Sequence, residues 1–293
     1  MDAQLDLIRE LQAALAPIGA VLRAASLTGE IPAFLMALPL IVWCVDFRTG
    51  VRITTLFLLC AYVSICVKDL VALPRPFDLD PALGLSTANG FGFPSNHASS
   101  AIVIWGGLAV WLRRRWFTAL AVAIVFIVGV SRVYLGVHFP TDVLGGWAIG
   151  GLLLAAHTRY EARLLSVAER MAWRLRLAVV ALGPVAMVAL HPVPDVATLT
   201  GALCGAGVGL VLMYRYAPFT GYGSARQRIW RYPVAILGVA AIYVGLKAFL
   251  PAQDHPLYAS ARFVRFGLIG AWIALGAPWL FRLTGLAPRE LPS

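Results

Sequence analysis

The chain has 293 residues, of which 60% are hydrophobic and only 13% charged, and its formal net charge is +10. So little polar surface excludes a soluble single domain. Its apolar runs are continuous rather than alternating, which excludes a membrane β-barrel and leaves a polytopic helical protein. In a soluble protein the positive balance would point to nucleic acid. Here it is assigned to membrane topology, and no nucleic-acid partner is expected.

Residues 1–25, MDAQLDLIRELQAALAPIGAVLRAA, lack the basic start and long apolar stretch of a cleavable signal. Their leucines and isoleucines at helical spacing, with charges between, predict an amphipathic helix lying at the membrane interface. Nine apolar segments of near-spanning length follow, at 30–46, 53–73, 97–112, 116–134, 141–157, 177–191, 198–214, 232–250 and 262–282. Short polar or Pro/Gly pieces separate them. TRYEARLLSVAERMAWRLR reads as a cytoplasmic amphipathic helix, and YRYAPFTGYGSARQRIWRY as an aromatic, basic interfacial anchor. Cys44, Cys60, Cys66 and Cys204 lie in or beside apolar runs and read as small core residues. No Cys-x-x-Cys pair or histidine cluster suggests a metal. The predicted fold class is all-α, a transmembrane helical bundle of about nine spans. Its organisation is an interfacial helix (1–25), a membrane core (26–157), an amphipathic linker (158–176) and a transmembrane extension (177–293).

Most of the 24 Lys and Arg residues fall in alternate loops: Arg48 and Arg52, Arg113 to Arg115, Arg159 to Arg176, Arg215 to Arg231, and Arg282 with Arg289. The positive-inside rule puts these loops in the cytoplasm. The 74–96 loop and the segment 132–140 then face outward.

Three polar clusters share that outward layer. In KDLVALPRP, Pro74 predicts a helix end at residue 73, so Lys68 stands on the last turns and Arg75 just beyond them. Either cation alone would read as a side chain reaching for the membrane surface. In FGFPSNHASS, Ser95 or Asn96 is a natural N-cap and His97 falls in the first turn, where free N–H groups and the helix dipole favour an anion. In SRVYLGVHFPTD, Ser131 and Arg132 end one span and Pro140 opens the next. His138 sits just before that helix, with Asp142 in its first turn. A carboxylate on one imidazole nitrogen fixes the tautomer and frees the other nitrogen to attack. Three cations, two histidines, one carboxylate and helix N-termini together suit phosphoryl transfer. Cations and backbone donors would neutralise the phosphate oxygens, one histidine would attack and the other would protonate the leaving oxygen.

In this order and spacing, K-x6-R-P (Lys68, Arg75, Pro76), P-S-x-H (Pro94, Ser95, His97) and S-R-x5-H-x3-D (Ser131, Arg132, His138, Asp142) make the sequence resemble the type 2 phosphatidic acid phosphatase superfamily. That superfamily includes lipid phosphate phosphatases, glucose-6-phosphatase and the vanadium haloperoxidases, and the likeness covers roughly residues 25–157. It implies His138 as the nucleophile that becomes phosphohistidine, Asp142 as its orienting partner and His97 as the general acid. It implies Lys68, Arg75, Arg132, Ser95 and the backbone around Asn96 as the phosphate site. The family usually has glycine where Asn96 stands. Asparagine tolerates unusual backbone angles better than most residues, so the loop is expected to survive.

The leading expectation is an integral membrane phosphatase that cleaves a phosphate monoester or terminal diphosphate of a lipid at the extracytoplasmic face. Undecaprenyl diphosphate, phosphatidylglycerol phosphate, phosphatidic acid and sphingoid phosphates all remain open as substrates. No cofactor is expected, because the cations are side chains. The membrane expected is the bacterial inner membrane, with the site facing the periplasm or exterior. The span count favours a second version, a glucose-6-phosphatase-like hydrolase of a soluble ester. A third, prompted by the extra spans, is an inactive lipid-phosphate binder or transporter. Residues 177–293 carry no motif that the sequence alone resolves; a lipid entry, a homodimer contact or simple packing all fit.

Overall fold

A computed structural model describes residues 2–29 and 31–288 of the chain. Among the described residues every regular element is helical and no strand occurs. The all-α expectation holds, and the chain is an integral membrane protein. Six helices among the described residues are long and apolar enough to cross a bilayer by themselves: Phe47–Leu79, Arg115–Tyr134, Trp173–Leu190, Pro194–Tyr216, Ala225–Phe249 and Tyr258–Leu283.

The other three of the nine expected segments are helical too, but each falls short of that length or apolarity by itself. The first is a short apolar helix, Ala33–Val45, with Pro39 inside it and a π-turn at its end, Ile41–Val45. The third is split into Asn96–Ala101, a π-turn at Ile102–Gly106, and Gly107–Leu112. The fifth lies within Pro140–Arg170, where Asp142, Gly145, Gly146, Gly150 and Gly151 dilute the apolar run. That helix runs unbroken to Arg170, so the charged residues 158–170 are its continuation.

The chain divides into two compact units. The first comprises residues 1–35 and 59–159. Its leading helices, Asp2–Leu15 and Gly19–Leu27, do not simply float at an interface. Ile8 is fully buried against Leu83, Ala98, Val133, Phe139 and Val143. Leu22 is buried with Tyr134, Leu135 and Val137. Polar contacts fix the same helices: Arg9 pairs with Asp80 at 2.7 Å, and the Gln12 amide donates to the carbonyls of Leu83 and Tyr134, both at 2.9 Å. The turn after Tyr134 closes on Gly136, whose φ is +68° and whose missing Cβ would stand 1.9 Å from the Leu83 carbonyl oxygen. Only glycine allows both the left-handed backbone and that approach. The helix from Pro140 lies close against the one from Asn96, because Cβ atoms at Gly146 and Gly150 would stand 2.5 and 2.6 Å from the carbonyl oxygens of Ser95 and Ser99.

The second unit comprises residues 36–58 and 160–293. It contains a motif that the sequence reading passed over. Gly201, Gly205 and Gly209 form a stripe at every fourth position of Pro194–Tyr216. Cβ atoms there would stand 2.2 Å from the Phe263 carbonyl, 1.7 Å from the Gly267 carbonyl and 3.0 Å from the Ala274 Cβ. Small residues let two membrane helices meet backbone to backbone, where dispersion replaces the hydrophobic drive that lipid cannot supply. The aromatic, basic loop is also more than an anchor. Arg231 is fully buried and donates to the carbonyls of Trp43, Gly221, Tyr222 and Leu286. Its guanidinium lies 5.1 Å from the Phe219 ring centroid and 5.9 Å from that of Phe281. Replacing Arg231 with Met should orphan these carbonyls and lower stability by at least about 3 kcal/mol. Arg231→Lys should recover only part, because an ammonium cannot fan out to four acceptors. Thermal unfolding in detergent reads both effects, and an unchanged midpoint for the methionine variant would rule out the clamp.

Candidate active site

Every residue singled out by the three motifs lies in the first unit. The helix Phe47–Val71 ends two residues before the expected 73, where Ala72 turns into the left-handed region at φ 51°. Lys68, on its last turn, is only 7% exposed. Its ammonium donates to the carbonyls of Phe91, Gly92 and Pro94 at 2.7, 3.1 and 3.0 Å. It thereby holds the loop that leads into Ser95. Arg75 is buried beside it. Its Nε donates to Gly90 O at 2.7 Å, Nη2 to Asn89 O at 2.8 Å and Nη1 to Val137 O at 2.8 Å. The same Nη1 stands 3.3 Å from His138 Nε2. One guanidinium thus joins the 89–90 loop to the 137–138 turn.

Ser95 caps the helix Asn96–Ala101, its Oγ accepting from Ala98 N at 3.4 Å, as the N-cap expectation required. The Ser95 N–H donates to the Asp142 carbonyl at 3.0 Å. Asn96 is the first helical residue and lies outside the positive-φ region. The unusual backbone that would favour glycine is absent here, so asparagine is tolerated on ordinary grounds. Its Oδ1 is buried with no hydrogen-bond partner. His97 follows in the first turn.

His138 and Asp142 meet at the start of Pro140–Arg170. His138 Nδ1 is 3.3 Å from Asp142 Oδ2, and that oxygen also accepts the Phe139 N–H at 2.9 Å. Both side chains are almost wholly buried. Arg75 can only donate, so His138 Nε2 is assigned as the lone-pair nitrogen and Nδ1 carries the proton toward Asp142. Ser131 uses its hydroxyl on its own helix, donating to Val128 O at 2.6 Å. Arg132 is buried and its Nη1 donates to Ser26 Oγ.

The sequence motifs therefore come together around His138, but two neighbours were missed. Ser26 meets Arg132, and Gly29 lies so close to His97 that a Cβ there would stand 2.2 Å from the imidazole Cδ2. The sequence holds only a weak signal for them, a Ser and a Gly between an amphipathic helix and an apolar run.

Burial holds the His138 imidazole well below its ordinary value of 6.5, and Arg75, Lys68, Arg132 and His97 add to the effect. The neutral form therefore persists as pH falls past 6.5. An unfolded chain takes up a proton there, so this group makes the fold lose stability toward acid. Nitrogen NMR of histidine-labelled protein should find His138 neutral at pH 6.5, and Arg75→Gln should move its titration upward. Protonated His138 at neutral pH would contradict the arrangement.

Residues 33–165 match the PAP2 superfamily, and residues 197–289 match the PAP2 superfamily phosphatase transmembrane extension. Lipid phosphate phosphatase delta of Arabidopsis thaliana is 30% identical over 142 residues, which is 43% of this chain and 34% of that protein. Phosphatidylglycerophosphatase B of Bacillus subtilis (strain 168) is 38% identical over 96 residues, 30% of this chain and 45% of that protein. Undecaprenyl-diphosphatase of Sulfolobus acidocaldarius is 31% identical over 118 residues, 39% of this chain and 56% of that protein. The chain thus spans from a third to a little over half the length of these curated relatives. A crystal structure of a transmembrane PAP2-type phosphatidylglycerolphosphate phosphatase from Bacillus subtilis aligns with a TM-score of 0.47 at 22% identity, over 56% of this chain and 88% of that one.

Proposed function

Because the chain belongs to the PAP2 superfamily, we propose that it is an integral membrane phosphatase acting on the phosphate monoester or terminal diphosphate of a lipid. The observation that carries this reading is the contact chain Asp142–His138–Arg75, with both steps at 3.3 Å. It presents an imidazole lone pair to a guanidinium, the arrangement needed for attack on a phosphorus whose oxygens the cation holds. The relatives named for lipid phosphates and diphosphates support the substrate class. The arginine-rich alternate loops support an extracytoplasmic site, in a bacterial inner membrane.

In this mechanism Lys68, Arg75 and Arg132 neutralise the phosphate oxygens. Ser95 and the N–H groups after it add donors at the helix start. The buried Asn96 amide, turned over, offers Nδ2 in the place of its orphaned Oδ1. His138 Nε2 forms the N–P bond as the P–O bond to the lipid breaks, and His97 protonates the departing oxygen. Asp142 holds the Nδ1 proton and stabilises the positive imidazole that results. Water then attacks phosphorus, gives a proton to His97, and releases inorganic phosphate and neutral His138. The charge that a metal would supply comes from side chains.

Phosphate release by detergent-purified protein tests the reading. The panel is phosphatidic acid, phosphatidylglycerol phosphate, undecaprenyl diphosphate, a sphingoid phosphate and glucose 6-phosphate. Wild type should release phosphate from a lipid substrate and His138→Ala should not. Asp142→Asn should lower kcat by roughly 10²-fold or more while KM changes little. Vanadate should inhibit, as a five-coordinate mimic bonded to His138, and EDTA should not. Activity lost in EDTA and restored by a divalent ion would break this account, as would a fully active His138→Ala.

A further inference from the structure

We propose that Ser26 is a positioning residue for the phosphate site, holding the Arg132 guanidinium in register, and that Gly29 is the small residue that lets the same segment wall in His97. The inference rests on the reading that Arg132 binds phosphate and His97 protonates the leaving oxygen.

The segment 2–29 touches the site's elements in sequence. Thr141 Oγ1 donates to Gln4 Oε1 at 3.1 Å, Arg9 holds Asp80, and Gln12 ties Leu83 to Tyr134. A Cβ at Gly19 would stand 2.3 Å from the Tyr134 hydroxyl. Leu22 is buried against the turn that carries His138. Ser26 then accepts from Arg132 Nη1, with both residues 4% exposed, and Gly29 abuts the His97 ring. Residues assigned to two different steps of the reaction are thus in contact with one four-residue stretch, Ser26–Gly29.

The chemistry of the contact favours positioning over neutralisation. A guanidinium binds phosphate well only when its planar fork is oriented. A serine hydroxyl fixes one N–H of that fork without cancelling the positive charge, as a carboxylate would. It also keeps its own proton available for an anion. At Gly29 the constraint is steric, since any larger side chain must displace the imidazole or the segment.

The test uses full-length protein in detergent, with monodispersity and helicity checked for each variant. Ser26→Ala should weaken vanadate inhibition and raise KM by roughly ten-fold, with a smaller fall in kcat. Ser26→Thr should restore both, and Ser26→Asp should be worse than alanine because it neutralises Arg132. Gly29→Val should lower kcat by roughly 10²-fold on the lipid substrate while vanadate inhibition holds. It should lose far less on an aryl phosphate, whose leaving oxygen needs no proton. Should Ser26→Ala fail to fold, the aspartate and Gly29→Val variants decide. Ser26→Ala with wild-type KM and vanadate affinity, or Gly29→Val equally impaired on both substrates, would overturn the inference. The phosphatase reading would survive that outcome if His138→Ala remained inactive. A wild type that neither releases phosphate nor binds vanadate would sink both.

Discussion

Cations buried at the end of a membrane helix need partners, and the choice of partner decides what the site can do. Lys68 and Arg75 are given main-chain carbonyls: Phe91, Gly92 and Pro94 for one, Asn89, Gly90 and Val137 for the other. Carbonyl dipoles satisfy the N–H groups without removing the charge. A carboxylate would satisfy and neutralise at once, and the nearby Asp142 is committed to His138 and the Phe139 N–H instead. The result is a loop and a turn pinned around two cations that lie near Asp142. That same charge, with burial, keeps the His138 imidazole unprotonated.

The second unit uses the same solution for a different end. Arg231 also collects carbonyls, but its face is closed by the Phe219 and Phe281 rings. A buried guanidinium roofed by aromatic rings organises loops and has no approach for an anion. The contrast shows that a buried, carbonyl-bound arginine is not by itself a catalytic feature. What distinguishes Arg75 is His138 as the fourth contact of its guanidinium, shared on Nη1.

The sequence disclosed local chemistry well and tertiary chemistry poorly. Proline and N-cap rules came within two residues of the end at Val71, expected at 73, and found the starts at Ser95 and Pro140, because these are set by neighbours a few residues away. The His138–Asp142 pair was legible for the same reason, being separated by one helical turn. Arg132 could be selected but its partner could not, since Ser26 lies 106 residues distant. Gly201, Gly205 and Gly209 were visible as letters, yet their role depends on the helix Tyr258–Ala271 against which they pack. The π-turn at Ile102–Gly106 was not legible at all, because it is a change of hydrogen-bond register and leaves no mark on apolar content.

The docked segment 2–29 has a consequence for biogenesis. It leaves the ribosome before the surface it docks on, for its partners Arg132 and Tyr134 are made 106 and 122 residues after Ser26 and Gln12. At synthesis rates of about 5–20 residues per second, the segment waits several seconds or more without its seat. During that interval Ile8 and Leu22 have no protein surface to cover them, and the bilayer surface is the natural shelter for an amphipathic helix. The membrane then serves as a holding partner during assembly. The contacts of Ser26 with Arg132 and of Gln12 with Tyr134 then form only once the chain has grown past the turn at Gly136.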